Sequence, residues 1–243
     1  MRMTNPHISI YKPQNIDKRL WRYMSLQKFM DLLQRSCLWF TRLDHFHDPY
    51  EGFLPEIITR LANDKERPEF AQFQYDPWRK RACANCWYMS DYESAAMWDL
   101  YSKEGGIAIT SHVSRLGPSI APEFDSAGWG LYGNAVKYID FQKEKVETID
   151  AQGSIILAQE LHCKRKSFEH EQEYRLTVRL EERELIADLP GKSVPIELNT
   201  LVEMVYVSPT APRWVVAVVQ NVAEKYGLIA PVVQSDLYAP VVK

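Results

Sequence analysis

Apolar and polar residues alternate strictly over residues 173–180, which is the clearest pattern in the chain. The apolar positions are Tyr174, Leu176, Val178 and Leu180. The polar positions between them are Glu173, Arg175, Thr177 and Arg179. Successive side chains of a strand point to opposite faces of its sheet. The segment therefore predicts a strand with one face in the core and one polar face.

Helical spacing of apolar residues begins directly after Ser25, whose hydroxyl suits a helix N-cap. The residues that share one helical face are Leu26, Phe29, Met30 and Leu33. They predict a helix that ends near Arg35. Further helices are predicted over residues 91–102, 155–170 and 211–226, with one or two more over 53–82. The last long helix, with its many valines, is expected to be well buried.

Short strands are predicted between these helices, at 20–24, 37–41, 86–89, 106–110, 131–139, 184–188, 193–198, 202–208 and 229–234. The mixture predicts an α+β fold with a mixed or mostly antiparallel sheet flanked by helices. Residues 1–18 are expected to form an extended N-terminal arm, and residues 19–243 a single domain. Apolar residues make up 46% of the chain, which is enough to fill a sizeable core.

Charge and composition narrow the expected partners. The formal net charge of −3 supports neither a nucleic acid nor an acidic membrane as a partner. Two basic stretches, 79–81 and 164–166, are interpreted as solvated helix faces. No apolar run reaches the roughly 18–20 residues of a membrane span, and the first residues lack a signal-peptide core, so we expect a cytoplasmic protein. The sequence identifies no protein partner.

The pair Cys83 and Cys86 has the spacing of a zinc knuckle, but a structural zinc site needs four ligands and a second such pair is missing. The cysteines are therefore interpreted as buried structural residues, and no metal site is expected.

A first candidate for chemistry is the loop over residues 45–52, which carries His47, Asp48 and Glu51. Pro49 fixes its own φ and restricts Asp48, so the loop is stiff. A stiff loop with carboxylates three residues apart suits a positioned polar site. It equally suits a simple turn in which Asp48 accepts backbone amides.

A second candidate is aromatic and covers residues 86–90 and 97–101. Its tryptophans and tyrosines either line a ligand pocket or pack in the core, because both side-chain types bury a ring and direct one polar atom to a partner. A third candidate combines Lys166, Glu171, Glu173 and Arg175. Paired carboxylates at a strand end are a common catalytic device, although the same residues would also make a surface ladder of ion pairs.

The order of several short motifs resembles a bacterial domain-of-unknown-function family over residues 19–180. The motifs are Arg22-Tyr23, Leu32-Leu33, Leu38-Trp39-Phe40, the loop 47–51, Cys86-Trp87, the helix motif 97–101, Gly106-Ile107, and Lys166 followed by Glu171, Glu173 and Arg175. His47 and Tyr50 replace the Asn and Phe of the family pattern. This resemblance implies membership of the family but identifies no reaction. At the level of the family it suggests a toxin or phage-defence setting.

A looser resemblance is to ADP-ribosyltransferases, and it implies a fold of that type and NAD as the nucleotide substrate. Arg22, beside Tyr23, would hold the pyrophosphate of NAD. A middle strand ending at Ser90, together with aromatic residues such as Trp98, would hold the nicotinamide side. Glu173 would bond the ribose and stabilise an oxocarbenium-like transition state, while Glu171 would orient or deprotonate the acceptor.

Two other functions stay open at this stage. Asp48, Glu51, Glu171 and Glu173 could bind Mg²⁺ for phosphodiester cleavage, assisted by Lys166. Alternatively, the aromatic cluster could be the pocket of a non-catalytic ligand-sensing or partner-binding module. We expect Arg22, Tyr23, the loop 48–51, Trp98 and Glu173 to meet in one pocket.

Overall fold

A mixed sheet of ten strands organises the part of the chain that the computed structural model describes, which is residues 8–13, 17–52, 79–102, 105–124, 130–144 and 159–239. Its strands are β1 (Ile8–Ile10), β2 (Arg19–Met24), β3 (Cys37–Arg42), β4 (Ala82–Met89), β5 (Ile107–His112), β6 (Leu131–Ala135), β9 (Glu173–Arg179), β10 (Gly191–Pro195), β11 (Met204–Val207) and β12 (Val232–Gln234). A separate parallel pair consists of β7 (Lys137–Ile139) and β8 (Cys163–Arg165).

The main path through the sheet runs β1-β6-β9-β4-β2-β5-β11-β12, while β3 pairs with β4 and β10 pairs with β3. Only β1–β6 and β11–β12 among these described pairs are parallel. The expected α+β fold with a mostly antiparallel sheet is therefore confirmed. Residues 8–10 of the expected N-terminal arm are extended, and they form an edge strand of this same sheet.

Helices pack against the sheet. They are α1 (Leu26–Arg35), α2 (Ala95–Tyr101), α3 (Val113–Ser119), α4 (Glu182–Ile186), α5 (Leu198–Leu201) and α6 (Trp214–Lys225). The predicted start of α1 is confirmed, because the Ser25 hydroxyl accepts a hydrogen bond from the Lys28 amide. None of the helices in the described ranges has the length and apolar character needed to cross a bilayer.

The alternating pattern of β9 separates two layers of packing. Its apolar residues lie in the main core with α1, whereas Glu173, Arg175 and Thr177 are buried on the opposite face. That opposite face also carries the aromatic residues Trp21, Tyr23 and Trp98, which form a smaller cluster with Met97 and Ala108. Both faces of the central strands are therefore covered.

The edge of β4 is shared between two partners. β4 pairs with β3 at Cys83 and Ala84, and with β2 at Tyr88 and Met89. Between these two stretches β2 and β3 separate, and Asn85, Cys86 and Trp87 have neither strand beside them on that edge. We call this opening in the sheet the fork.

Several predicted elements are wrong within the described residues. The helix expected at 155–170 is instead β8 between two 3-10 turns, Gln159–His162 and Lys166–Glu171. The strand expected at 184–188 is the helix α4, whose capping box joins Glu181 and Glu184. The helix expected to begin at Asp91 begins at Ala95, with Ser94 as its cap. The helix α6 is only partly buried, since the Trp214 side chain is 67% exposed.

The helices predicted over 53–82 lie mostly outside the described residues.

Cys83 and Cys86 stand three residues apart on β4, so they point to opposite faces. Cys83 joins the main core and Cys86 packs on the other side. Burial raises the pKa of both thiols to about 12, which fits their interpretation as structural residues.

Candidate functional site

A cavity of about 710 Å³ opens at the fork, within the roughly 300–1,000 Å³ of small-molecule sites. Its walls come from β2, β3, β4, α1, the loop 45–51 and the segment that leads into β9. Residues from both faces of the sheet contribute, because the fork interrupts the sheet there. The charged groups of the cavity that bear on chemistry are Arg22, Asp48, Glu51, Lys164, Glu171 and Glu173.

Three carboxylates surround the ammonium group of Lys164. Lys164 Nζ lies 2.8 Å from Glu173 Oε1 and 3.1 Å from Glu51 Oε1, and it also donates to Glu171 Oε2. The Lys164 side chain is only 6% exposed. A buried ammonium needs such partners, because desolvation without compensation would remove its charge.

Arg175 completes what we call the ion-pair cluster, which consists of Glu51, Lys164, Glu171, Glu173 and Arg175. Its guanidinium is fully buried. It donates to Glu173 Oε2 from Nε at 3.0 Å and from Nη2 at 2.6 Å, and to Glu51 Oε2 from Nη1 at 2.9 Å. The carboxylates of Glu51 and Glu173 are therefore each shared between two cations.

The two carboxyl groups of the pair Glu171 and Glu173 differ in pKa. Burial and the adjacent Glu173 raise the pKa of Glu171 to about 7. Burial alone would also raise the pKa of Glu173, but the charges of Arg175 and Lys164 lower it well below its usual range. One carboxyl is thus ionised at neutral pH while its neighbour exchanges a proton, and such a split separates acid–base roles.

Two tyrosines support this pair. Tyr101, at the end of α2, donates a hydrogen bond from its hydroxyl to Glu171 Oε1 at 3.2 Å. The hydroxyl of Tyr138 accepts a hydrogen bond from the backbone amide of Glu173 at 2.8 Å. Burial and the nearby carboxylates raise the pKa of both hydroxyls, so both stay protonated at neutral pH.

The loop that carries Glu51 is held by Arg165. The guanidinium of Arg165 donates two hydrogen bonds to the buried carboxylate of Asp48. It also lies 4.7 Å from the ring centroid of Tyr50 and 5.4 Å from that of Phe168. Asp48 accepts the Tyr50 backbone amide as well. Asp48 is thus both the turn residue that one interpretation of the loop predicted and part of a tertiary ion pair.

Arg22 lies at the fork itself. Its Nη1 donates to the backbone carbonyl of Cys86 at 2.6 Å, and its guanidinium carbon lies 5.9 Å from the ring centroid of Trp87. No carboxylate among the described residues forms an ion pair with it. Burial consequently lowers the pKa of Arg22, although an arginine remains charged at neutral pH.

Of the remaining predicted site residues, two line the cavity and three do not. Tyr23 lines the cavity, and its hydroxyl accepts the backbone amide of Ser94. His47 lines the cavity and is exposed. Ser90 and Trp98 are not part of the lining, since Ser90 accepts the Tyr92 amide and Trp98 donates to Glu93. Lys166 is exposed and lies outside the lining too.

Sequence reasoning missed Lys164, Arg165 and Tyr138. Lys164 was assigned to a solvated helix face, and that assignment is wrong because Lys164 lies on a strand and is buried. The motif with Glu171, Glu173 and Arg175 was matched instead to Lys166, two residues further along the chain. Tyr101 belongs to the aromatic candidate over 97–101, and it lines the cavity.

Comparison with known proteins supports the resemblance to a domain-of-unknown-function family. No curated protein and no solved structure matches the chain. Residues 97–176 match the family model described as "Protein of unknown function (DUF2971)". The matched stretch runs from the first buried residue of α2 to the middle of β9, and so includes most of the ion-pair cluster. The expected resemblance to a domain-of-unknown-function family is thereby confirmed for this stretch.

Proposed function

We propose that the protein binds NAD in the cavity at the fork and transfers the ADP-ribosyl group to an acceptor. One observation carries this proposal. Arg22, a guanidinium with no carboxylate partner among the described residues, lines the same cavity as the carboxyl pair Glu171 and Glu173. An unneutralised cation and a carboxyl pair with divided pKa values suit a substrate that has a phosphate and a reactive sugar.

The distance between these two parts suits one bound nucleotide. Trp21 pairs with Tyr88, and Tyr88 pairs with Glu173, so the three residues lie side by side on adjacent strands. Strands are about 4.8 Å apart, which puts the backbones of Arg22 and Glu173 roughly 10 Å from each other. The side chains leave their strands on opposite faces, and the fork connects the two faces through the cavity.

In the proposed reaction the bond between the nicotinamide nitrogen and the ribose C1′ breaks, and nicotinamide leaves with the electron pair. The acceptor forms the new bond to C1′ and loses a proton. Ionised Glu173 stabilises the positive charge that develops on the ribose. Glu171, whose pKa is about 7, accepts the acceptor's proton. Such a reaction would suit a toxin or phage-defence setting.

Calorimetric titration of NAD into the purified protein tests the binding step. We expect the wild type to bind and Arg22→Ala to lose binding. Arg183→Ala is the matched control, because the Arg183 side chain is 80% exposed and lies outside the cavity. Absence of NAD binding by the wild type would contradict the proposed function. Equal binding by the wild type and Arg22→Ala would remove Arg22 from it.

Release of nicotinamide tests the chemical step. We expect Glu173→Gln to stop release while NAD still binds, after circular dichroism has shown that the variant is folded. Binding of NAD without any turnover by the wild type would instead favour the ligand-sensing function.

Metal-dependent phosphodiester cleavage is the second candidate, and it rests on the three carboxylates that converge on Lys164. Cationic side chains already lie between these carboxylates. Among the described residues no group of three or more candidate ligands is arranged to hold a metal ion. We therefore place this function second. Cleavage of a nucleic acid that requires Mg²⁺ or Mn²⁺ would reverse this order.

A further inference from the structure

The indole N–H of Trp87, a residue that lines the cavity, is buried without an acceptor among the described residues. Trp87 is 1% exposed and lines the cavity, and its Nε1 has no hydrogen-bond partner among the residues that the structure describes. Buried tryptophans usually find an acceptor for this group, since an unsatisfied buried donor destabilises the folded state. An unused donor beside a cavity therefore points to an acceptor that arrives with a ligand.

The second donor beside it belongs to Arg22. The guanidinium carbon lies 5.9 Å from the ring centroid of Trp87, and Nη1 is held by the carbonyl of Cys86, the residue before Trp87. No hydrogen bond from Nε or Nη2 of Arg22 is made within the described part of the chain. These nitrogens remain available to a ligand, and the Cys86 carbonyl fixes the orientation of the guanidinium plane.

The two side chains together select one kind of group. Indole and guanidinium are both donors that cannot accept a hydrogen bond, so a ligand group between them must offer acceptors. The charge of Arg22, which no described carboxylate balances, favours an anion. A phosphate presents several oxygens, so one phosphate can accept hydrogen bonds from two neighbouring side chains at once.

We infer that Trp87 is a specificity-determining residue whose indole N–H donates to an oxygen of the same phosphate group that Arg22 holds. The nucleotide identity of the ligand rests on the proposed function, whereas the phosphate site does not. Trp87 thus acts as a ligand contact, in addition to its packing in the main core.

Nuclear magnetic resonance of the uniformly ¹³C- and ¹⁵N-labelled protein, read at the tryptophan indole N–H signals, tests this inference directly. The chain has seven tryptophans, and the Trp87 indole signal is assigned by sequential backbone to side-chain correlation, which needs no variant. The probes are inorganic pyrophosphate and NAD, titrated separately. We expect the Trp87 indole proton to shift downfield on binding of either probe, and Arg22→Ala to abolish the shift.

Affinity provides the second readout. Trp87→Phe removes the N–H while keeping an aromatic ring, and we expect about tenfold weaker binding of pyrophosphate, as for the loss of one hydrogen bond. Trp214→Phe is the control, because Trp214 is exposed and lies outside the cavity. Should Trp87→Phe fail to fold, the wild-type spectra alone decide.

The outcomes separate this inference from the proposed function. A shift with pyrophosphate but no binding of NAD would support the phosphate site and overturn the proposed function. Binding of NAD without movement of the Trp87 signal would overturn the inference alone. No movement with either probe, or unchanged affinity in a folded Trp87→Phe variant, would also overturn it.

Discussion

Arg165 and Asp48, which are 117 residues apart in the chain, are joined by two hydrogen bonds, from Nε to Oδ2 at 3.0 Å and from Nη2 to Oδ1 at 2.8 Å. This pair connects β8 to the loop that presents Glu51. Lysine cannot make two such parallel bonds, and it stacks less well on aromatic rings. We therefore expect Arg165→Lys to lower the free energy of unfolding by about 1–3 kcal/mol and to speed amide hydrogen exchange at residues 48–52.

The neighbouring residue supplies the control for this prediction. Lys166 is exposed, so Lys166→Ala should change neither stability nor exchange in the loop. Equal exchange rates at residues 48–52 in wild type and Arg165→Lys would show that other contacts hold the loop.

Removal of Arg175 should have a larger effect on stability. Arg175→Met leaves Glu51 and Glu173 buried with only Lys164 to balance them. Breaking a buried ion pair by removing one partner costs about 3–5 kcal/mol, to be measured by urea denaturation at pH 7. Arg183→Met, which removes an exposed ion pair with Glu181, should cost no more than about 1 kcal/mol. Similar losses of unfolding free energy in the two variants would show that the ion-pair cluster contributes little to stability.

The pKa of Glu171 gives a prediction for the pH dependence of stability. It is raised from 4.5 to about 7, so between these values the folded protein holds a proton that the unfolded chain has released. Stability therefore falls as pH rises through this window. Glu171→Gln mimics the protonated form, so the stability of wild type relative to this variant should decrease from pH 5 to pH 8.

The lowered pKa of Glu173 places its own titration below this window, which isolates the contribution of Glu171. Denaturation curves at several pH values check the prediction. A difference between wild type and variant that stays constant, or that grows in favour of the wild type, would contradict the raised pKa.

The contact between β3 and β10 predicts a steric effect at Gly191. A Cβ atom there would lie 2.2 Å from the Phe40 carbonyl oxygen and 2.6 Å from the Trp39 ring. Backbone cannot move aside as a flexible side chain can, so Gly191→Ala should cost about 3 kcal/mol or more. Gly227→Ala is the control, since nothing lies within 4 Å of its Cβ position. The expected cost of Gly227→Ala is therefore only the backbone strain of an alanine at positive φ, which is about 1–2 kcal/mol. Equal melting temperatures for the two variants would contradict this prediction.

The spacing of apolar residues correctly predicted the helices and strands that have one apolar side and one polar side. The strand β9 and the helix α1 follow directly from periods of two and 3.6 residues. The same patterns placed Glu173 and Arg175 together on the polar side of β9, where the structure has both of them buried. The sequence did not show that this side would be covered, because the covering residues come from distant segments.

Elements whose conformation depends on tertiary partners were assigned wrongly. Lys164 is buried on a strand because carboxylates from the loop 48–51 and from residues 171–173 surround it. A three-residue basic strand has no period of its own, so the sequence favoured a helix there and gave no sign that Lys164 is buried. The fork was likewise hidden, since it depends on β4 pairing with two strands that are themselves separated by a helix.

The shared edge of β4 also sets the order in which the cavity can be made as the chain folds. The segment β2–α1–β3 is local, but the bond from Arg22 to the Cys86 carbonyl spans 64 residues, and the ion-pair cluster needs residues up to Arg175. Contacts between residues so far apart in the sequence form slowly, because closing the long loop between them costs conformational entropy. An emerging chain must therefore extend beyond β9 before the cavity is complete, so the cavity can form only together with the central sheet.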